Sequence, residues 1–379
     1  MTHTCLFHIS GNQYPPFPAT HHTRRIWDEL AKGFDEYHII ARGETNLYIH
    51  SVEGSIHLHL LPAFGKRMWP FFFLSWLLPW FVIRYKPTHL LAQCPVLGGL
   101  SAAFCSRLFD IPLCVEIHGA HYFAPARLGW KGIAEHFLYK HLSTVTFLAA
   151  TRIRSLSVDM NEHIARIYGE TISKKVVVIP NRVDLDVFKF VKENYKTNDI
   201  LRFITVGSFV QNKNHCALIE DLSKAKINFK LTLVGTGNLQ GAYFTLAERL
   251  GVRNQIETVS LNHKSLAELL PKHDIYVHYS HYEGVSRAIL EAMATGLPVV
   301  ATRVGFIKGV LLDNENAIVI DSPYADGLIK SIKLLAESEE FRKQLGVAAR
   351  HTIEQRFEWN YVFDLYRTAI KTMIYQLHS

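Results

Sequence analysis

The stretch HDIYVHYSHYEGVSRAILEAMATGLPVVAT, residues 273–302, contains a complete strand–turn–helix–strand pattern. The apolar run HDIYVHYS has the length and composition of a buried strand, and HYEG forms the turn at its carboxyl end. SRAILEAMA then has helical spacing, with Ser286 suited to accept a hydrogen bond at the N-cap. PVVAT predicts the next strand, so this stretch predicts one unit of a parallel α/β sheet.

The same alternation runs along the whole chain and restarts once. The first half contains the helix THHTRRIWDELAKGF and the strand candidates TCLFHIS, YHIIAR, HLLAQ, LCVEIHG, TVTFLAA and SKKVVVIP. The second half begins with DILRFITVGSF and continues through FKLTLVG to the stretch quoted above. Two α/β domains are therefore expected, at residues 1–180 and 181–356. Residues 357–379 should form a helix that crosses back to the first domain, after a break near Phe357–Trp359.

Composition limits the class of protein. A chain of 379 residues with 48% hydrophobic residues is long enough for about two globular domains. Its net charge of +7 favours an anionic partner, which could be a nucleotide, a lipid surface or a nucleic acid. Five cysteines without a C-x-x-C pair argue against a disulfide framework or a zinc site. The start has no basic and apolar leader pattern, so a cytoplasmic location is expected.

Two glutamates stand out around the turn and helix of the quoted stretch. Glu283 lies in the turn after the strand, and Glu291 lies two turns into the helix. Ligands of open α/β sheets bind at this carboxyl edge, where a helix N-terminus offers free N–H groups to phosphate. Glu291 could then accept hydrogen bonds from two vicinal hydroxyls, such as those of a ribose. The alternative is that both are solvated carboxylates at the end of a helix.

The segment EGVSRAILEAMATGLPVVAT closely resembles the Glu-x7-Glu signature of retaining nucleotide-sugar glycosyltransferases of the GT-B fold, in particular glycosyltransferase family 4. VIPNRVDLDVF is similar to that family's interdomain segment, with Arg182 in the place of the usual glycine. VGSFVQNKNHCALI resembles its first strand–loop–helix of the nucleotide domain. Lys213 matches the lysine that grips the diphosphate, whereas Ser208 stands where the family has an arginine.

This resemblance implies a fold and a set of roles. The GT-B fold has two Rossmann-like, doubly wound domains with a cleft between them, and the nucleotide diphosphate-sugar lies mainly on the second domain. Lys213 would stabilise the leaving diphosphate, Glu283 would orient the sugar, and His118, in VEIHGAHY, would lie near it. The residues implied in substrate binding are Glu291, Gly284, Val285, Ser286, Arg287, Ser208, Gly235 and Gly11. Arg287 or Arg182 could replace the missing arginine, and neither a cofactor nor a metal is implied.

Several of these residues also have ordinary structural explanations. Lys213 could be a solvated loop lysine, and His118 could be one of many histidines with a structural role. Gly235, in LVGTGNLQ, could belong only to a tight turn. Asp184 and Asp186 form an Asp-x-Asp pattern, but their place in the interdomain segment favours a folded linker over a metal site.

A second feature is the segment 66–86, which is apolar from Met68 to Ile83 except for one serine. It is shorter than the roughly 20 residues that span a bilayer, and two prolines interrupt it. Cations flank its three tryptophans, at Lys66, Arg67, Arg84 and Lys86. The segment could be an interfacial helix at the inner face of the cytoplasmic membrane, facing a lipid-linked acceptor. A buried helix of the first domain is an equal alternative.

Sugar transfer from a nucleotide-sugar to a glycan or lipid-linked acceptor is therefore the leading hypothesis. An NAD-dependent Rossmann oxidoreductase is the first alternative, but GTGNLQG has Gln240 where the dinucleotide fingerprint needs its third glycine. A glycoside hydrolase needs two carboxylates facing each other across a bond, which this spacing serves poorly. A non-enzymatic membrane-surface binding protein is the remaining alternative. A nucleic acid partner is not expected.

Overall fold

The computed structural model describes residues 3–17, 22–65, 68–118, 130–281, 283–305, 307, 309–321 and 325–373. The chain divides into two compact units. Unit 1 contains Met1–Ile179 and Phe363–Ser379, and unit 2 contains Pro180–Val362. The sequence predicts the boundary between the two domains between residues 180 and 181, and the structure places it between Ile179 and Pro180.

Unit 1 contains a sheet of eight strands in the order β3-β4-β2-β1-β5-β6-β7-β8, in which only the pairing of β3 with β4 is antiparallel. The strands are β1 Cys5–Gln13, β2 Glu36–Arg42, β3 Ile49–Glu53, β4 Ile56–Leu61, β5 His89–Ala92, β6 Leu113–Glu116, β7 Arg152–Ser155 and β8 Val176–Val178. The helices are α1 His22–Ala31, α2 Trp69–Leu74, α3 Leu78–Tyr85, α4 Gly99–Phe109, α5 Trp130–Ala149, α6 Val158–Tyr168 and α7 Glu170–Ser173.

Unit 2 contains a sheet of six parallel strands in the order β11-β10-β9-β12-β13-β14. The strands are β9 Leu201–Val206, β10 Phe229–Val234, β11 Ile256–Val259, β12 Ile275–His278, β13 Val299–Thr302 and β14 Ile318–Ile320. The helices are α8 His215–Lys224, α9 Gln240–Arg249, α10 His263–Leu269, α11 Arg287–Ala294, α12 Ala325–Glu337 and α13 Glu339–Arg356. A last helix, α14 Trp359–Lys371, begins in unit 2 and continues into unit 1. This order is that of a doubly wound Rossmann sheet, whose strand sequence reverses between β9 and β12.

The predicted α/β class with two sheets is confirmed. The break expected near Phe357–Trp359 lies between α13 and α14, and unit 1 resumes within α14 at Phe363. The inner strands of both sheets are buried: β12 and β13 of unit 2 consist entirely of buried residues, as do β5 and β6 of unit 1. Continuous apolar strands of this kind are typical of parallel sheets covered on both faces.

One predicted strand is wrong. TVTFLAA, residues 144–150, lies at the end of α5 instead of in the sheet. The threonine hydroxyls bond to backbone carbonyls, Thr144 to Lys140 and Thr146 to Pro95, both at 2.7 Å. These bonds, with Phe147 fully buried, stabilise a helix despite the β-branched residues.

The apolar segment after residue 67 forms two short helices, α2 and α3, joined by a 3-10 turn at Ser75–Leu77. Pro70 and Pro79 stand in the first turns of these helices, where a missing N–H costs no hydrogen bond. The two flanking cations Lys66 and Arg67 lie outside the described residues. Within the part of the chain that the structure describes, no helix has the length and apolarity to cross a bilayer.

Candidate functional site

The candidate site of unit 2 lies where β9 and β12 end side by side, at the point where strand order reverses. The Gly207 N–H donates to the Val234 carbonyl at 2.9 Å, which fixes the turn after β9. The His281 N–H donates to the Asn212 carbonyl at 2.8 Å, which ties the loop after β12 to the loop after β9. The two loops are therefore held together at the edge where open α/β sheets bind ligands.

Lys213 and Glu283 meet at this edge. Lys213 ends a 3-10 turn at Gln211–Lys213, and Asn214, with φ of 56°, redirects the chain into α8. The Lys213 side chain crosses Gly207, where an added Cβ would lie 3.1 Å from Lys213 Cε. Its Nζ donates to Glu283 Oε1, and the two side chains are only 17% and 13% exposed. Both loops thus contribute to one partly buried ion pair.

Two further side chains act on Glu283. His278 Nε2 lies 3.3 Å from Glu283 Oε1, and the Ser280 hydroxyl donates to the same oxygen at 3.1 Å. Burial alone would raise the pKa of Glu283, but the bonds and charges of His278 and Lys213 lower it to about 2. Burial lowers the pKa of His278, so the ring is neutral at pH 7. A carboxylate only accepts, so Nε2 carries the proton and Nδ1 faces the Tyr276 hydroxyl at 3.4 Å.

Three glycines permit the close backbone contacts of these loops. An added Cβ at Gly235, which has φ of 149°, would lie 2.0 Å from the Gly207 oxygen. One at Gly237 would lie 2.5 Å from the Phe209 oxygen. Gly305 has φ of 70°, and its Cβ would lie 2.4 Å from the Glu283 oxygen and 2.6 Å from the Gly284 oxygen. Gly235 and Gly237 therefore serve backbone packing between β9 and β10, and Gly305 supports the Glu283 turn.

The turn after Glu283 leads into α11. Ser286 occupies the N-cap position as predicted, but among the described atoms its side chain makes no capping hydrogen bond. The first N–H groups of α11 are therefore not capped by this hydroxyl. The Asn181 amide donates to the Val285 carbonyl at 3.1 Å, which connects the turn to the interdomain segment. Arg287, the first residue of α11, is exposed.

Glu291 lies on α11, with its side chain 12% exposed. His263, the first residue of α10, places Nε2 3.5 Å from Glu291 Oε1. The hydrogen bond with Glu291 raises the pKa of His263, with burial opposing it. Glu291 is therefore a half-buried hydrogen-bond acceptor, and its neighbour His263 becomes positively charged as the pH falls.

Arg182 and Asp184 have structural contacts of their own in unit 2. The Arg182 guanidinium lies 5.3 Å from the Trp359 ring centroid, in a cation–π arrangement. Asp184 Oδ1 accepts the N–H groups of Asp186 at 3.1 Å and Val187 at 3.4 Å. These two bonds form a turn of the interdomain segment. Ser208 lies in the loop after β9, and its carbonyl accepts the Val210 N–H at 2.9 Å.

In unit 1, the predicted residue His118 follows β6. Its Nε2 lies 3.0 Å from Oε2 of the buried Glu116, whose other oxygen accepts from Arg154 and Tyr366. Burial would raise the pKa of Glu116, but the charges of His118 and Arg154 hold it well below its usual value. His118 is thus oriented by an ionised, buried carboxylate.

Gly11, which the resemblance implies in substrate binding, lies within β1 and not in a loop after it. β1 extends to Gln13, with a register shift against β2 between Ile9 and Gln13. An added Cβ at Gly11 would lie 3.5 Å from Leu97 Cβ, an ordinary contact. Next to it, the Ser10 hydroxyl donates to Gln93 at the end of β5, so β1 and β5 are linked at their carboxyl ends.

Two family models match consecutive parts of this chain. The model of the glycosyl transferase 4-like domain matches residues 19–182, and the model of glycosyl transferases group 1 matches residues 187–352. The chain belongs to the group 1 glycosyltransferases. The second match contains Lys213, Glu283 and Glu291.

Individual relatives agree with this assignment of the chain to the glycosyltransferases. An uncharacterized glycosyltransferase of Methanocaldococcus jannaschii is 25% identical over 69% of this chain and 68% of its own length. Sucrose-phosphate synthase from Thermosynechococcus elongatus superposes with a TM-score of 0.78 at 16% identity, covering 97% of this chain and 100% of that one. Anabaena HepE, solved with UDP, gives a TM-score of 0.74 at 16% identity, covering 97% and 100%. HepE has also been solved with UDP-glucose.

These similarities establish the GT-B fold with two Rossmann-like domains for this glycosyltransferase. Among eight curated relatives, the aligned part spans 36% to 74% of the relative's length. The activity of any one relative therefore does not transfer to this chain by alignment alone.

Sequence reasoning missed His278, Ser280 and Gly305 of the candidate site. A signal for the first two was present, because Tyr276 and His278 alternate along β12 and Ser280 continues this alternation just beyond its end. Polar residues at alternate positions of a buried strand point to a hydrogen-bond network within the sheet. Gly305 could not be distinguished from other glycines before its neighbour, the Glu283 carbonyl, was known.

Proposed function

We propose that this glycosyltransferase moves a sugar from a nucleotide diphosphate-sugar to a glycan or lipid-linked acceptor with retention of the anomeric configuration. The observation that supports this proposal best is the Lys213–Glu283 pair beside the start of α11, at the reversal point of a Rossmann sheet. The binding of UDP and UDP-glucose by the structural relative HepE supports a nucleotide-sugar donor.

Lys213 and the N–H groups of Gly284, Val285 and Ser286 are proposed to stabilise the charge that develops on the leaving diphosphate. Preorganised donors that face developing charge are often the largest contribution to catalysis. Glu291 accepts hydrogen bonds from the ribose hydroxyls, and Glu283 orients the donor sugar. In unit 1, the His118 ring is held in place by Glu116.

In the proposed reaction, the bond from the anomeric carbon to the phosphate oxygen breaks while the acceptor hydroxyl oxygen bonds to that carbon on the same face. The acceptor proton passes to the leaving phosphate oxygen, so the step needs neither a protein base nor a metal. Retention is the outcome expected when attack and departure take place on one face.

Donor preference is tested first by thermal shift with a panel of nucleotide-sugars, beginning with UDP-glucose. Turnover of the stabilising donor is then compared between the native chain and Lys213→Gln. The variant should lose about 100-fold or more in kcat, the usual effect of removing a donor to developing charge. Lys224→Gln is the matched control, because Lys224 also pairs with a carboxylate of unit 2 but lies on the far end of α8. Equal activity of the two variants, or an inverted product by NMR, would contradict the proposal.

The acceptor is proposed to be presented at a membrane surface. Six apolar side chains of α2, α3 and the turn between them are between 44% and 64% exposed, and we name them the aromatic strip: Trp69, Phe73, Trp76, Leu77, Trp80 and Ile83. Phe71, Leu78, Phe81 and Val82 of the same segment are buried. The segment thus has one apolar face in the core and a second apolar face towards solvent.

The aromatic strip continues onto the neighbouring helix α4. The Trp76 ring lies 5.7 Å from the ring of Phe104, which is 46% exposed, and Leu108 is 58% exposed. Arg84 and Lys86, both exposed, follow at the end of α3. Apolar patches of this kind mark interaction sites, and cations beside them favour an anionic lipid surface.

Sedimentation with anionic liposomes tests this contact. A variant with Trp76→Gln, Trp80→Gln and Arg84→Gln should stay in the supernatant, whereas the native chain pellets at low salt. Leu334→Gln with Val347→Gln is the control, since both are exposed apolar residues of unit 2, at 45% and 56%. If the native chain also stays in the supernatant while it turns over its donor, a soluble glycan acceptor is favoured.

A further inference from the structure

Four histidines lie on one face of the outer strands of the unit 1 sheet. His38 of β2 pairs in register with His57 of β4, and His50 of β3 pairs with His59 of β4. The rings stack, with centroids 4.3 Å apart for His38 and His57 and also for His50 and His59. Tyr85 of α3 lies over them, 4.7 Å from His38. The proposed transfer reaction does not use this group of residues.

A thiol and a carboxylate lie next to His38. Glu36 and His38 are alternate residues of β2 and therefore share a face, and Cys5 of β1 is the register partner of Glu36. The Cys5 sulfur, a Glu36 carboxylate oxygen and a His38 ring nitrogen all lie within 4.8 Å of one another. Glu36 Oε2 and His38 Nε2 are 3.1 Å apart.

We propose that Cys5, Glu36 and His38, the β1–β2 cluster, bind a divalent transition-metal ion of the zinc class. Thiolate, imidazole and carboxylate are the ligand types that zinc prefers. Ligand bonds of about 2.0 to 2.3 Å require ligand atoms roughly 3.3 to 3.8 Å apart in a tetrahedral shell. The separations in the cluster need shifts of only about 1 Å to meet this requirement. A thiolate ligand excludes magnesium and calcium, which prefer oxygen donors.

Cys5 is fully buried and faces the Glu36 carboxylate across paired strands. A bound dication would take the thiolate and the carboxylate in their charged forms. On binding, Cys5 gives its proton to solvent and its sulfur forms the bond to the metal.

A hydrogen-bond chain behind His38 supports coordination through Nε2. His38 Nδ1 lies 3.0 Å from His59 Nε2, and His59 Nδ1 lies 2.8 Å from the Tyr48 hydroxyl. With Nε2 protonated towards Glu36, donation runs from Tyr48 through His59 to His38. With Nε2 on a metal, the same chain reverses, and His38 Nδ1–H donates to His59, which donates to Tyr48. Each ring keeps one proton in both directions, so coordination creates no buried imidazolium.

The position of the cluster in the sheet indicates a structural role. Cys5 is the first residue of β1 and Glu36 the first of β2, so the cluster lies at the amino edge of the parallel strands. Ser10 lies in the carboxyl-terminal half of β1, and His118 follows the carboxyl end of β6. The metal would therefore fasten β1 to β2 without touching the reacting groups. The Glu36 side chain is 38% exposed, which leaves a route for the ion to enter.

Cobalt titration of the untagged, chelator-treated full chain tests the proposal. One equivalent of Co²⁺ should bind and give thiolate-to-cobalt charge-transfer bands in the near ultraviolet. Cys5→Ser should abolish these bands, and Glu36→Gln should weaken cobalt binding by about 10-fold or more. Cys114→Ser is the matched control, because Cys114 is also a buried strand cysteine of the same sheet. Bands that survive in Cys5→Ser, or no bands in the native chain, would overturn the proposal.

Thermal unfolding provides a second readout that does not depend on the serine variant or on transfer activity. Zinc should raise the Tm of the native chain and of Cys114→Ser, but leave the Tm of Glu36→Gln unchanged. An equal rise in Glu36→Gln would place any bound zinc elsewhere, for example on the exposed His50, and would overturn the assignment.

Discussion

Gly305→Ala should slow the glycosyltransferase without releasing the nucleotide. An alanine Cβ at this position would lie 2.4 Å from the Glu283 oxygen, and real Cβ atoms essentially never come closer than 3.0 Å. The Glu283 turn must therefore retreat by about 0.6 Å, and a shift of about 1 Å at a reacting group can cost on the order of 100-fold. We expect kcat with the preferred nucleotide-sugar to fall by about 10- to 100-fold. Binding of the free nucleotide, measured by calorimetry, should fall much less than kcat, because Glu291 is not displaced even though the Gly284 backbone moves with the turn.

Gly251→Ala provides the control for backbone strain. Gly251 has φ of 72°, close to the 70° of Gly305, but nothing lies within 4 Å of its added Cβ. Alanine in the left-handed region costs about 1 to 2 kcal/mol in both variants, so both should show a similar loss of thermal stability from strain. Only Gly305→Ala should lose turnover. If both folded variants have the same kcat, the Glu283 turn does not control the reaction and the reasoning is refuted.

Three further predictions concern the same site. Glu291→Ala should weaken nucleotide binding in calorimetry by about 1.5 to 3 kcal/mol, whereas Glu283→Ala should lower turnover alone; the reverse pattern would exchange the two roles. Nucleotide affinity should rise as the pH passes upward through the raised pKa of His263, because the neutral ring releases Glu291; a His263→Asn variant that keeps the same pH dependence would contradict this. Transfer should survive excess EDTA in a variant that lacks the β1–β2 cluster. If EDTA abolished transfer and manganese alone restored it, Asp184 and Asp186 would be implicated instead.

The alternation of apolar runs and helical patterns predicted both sheets, because parallel strands buried on both faces are continuous apolar segments. It did not predict β3, β4 and β7 of unit 1 or β11 and β14 of unit 2, and the sequence of β4, IHLHLL, alternates histidines with leucines. His57 stacks on His38, and the buried His59 lies beneath Tyr85, so polar composition concealed a core strand. The error at residues 144–150, where a strand was predicted and a helix is found, has the opposite cause. Its β-branched residues favour a strand locally, but contacts of Thr146 and Phe147 with the rest of the unit stabilise a helix.

The sequence placed Lys213 and Glu283 in separate loops, 70 residues apart. Their contact depends on β9 and β12 being neighbours, which is a property of strand order and not of either loop. The family signature supplied both residues together with the expectation of that order. His278 lies outside the signature stretch that begins at Glu283, and its bond to Glu283 follows only from the path of β12 into the turn.

The electrostatics of Glu283 restrict the chemistry that this residue can perform. With a pKa of about 2, its carboxyl is ionised throughout the neutral range and carries no proton to give to a leaving group. The same low value makes it a weak general base, since catalytic bases work best with a pKa near the operating pH. Neutral His278 already donates its Nε2 proton to Glu283 in a hydrogen bond. Glu283 is thus suited to accept hydrogen bonds from sugar hydroxyls while Lys213 holds it in place. If the departing phosphate itself takes the acceptor proton, the reaction needs neither an acid nor a base function from Glu283.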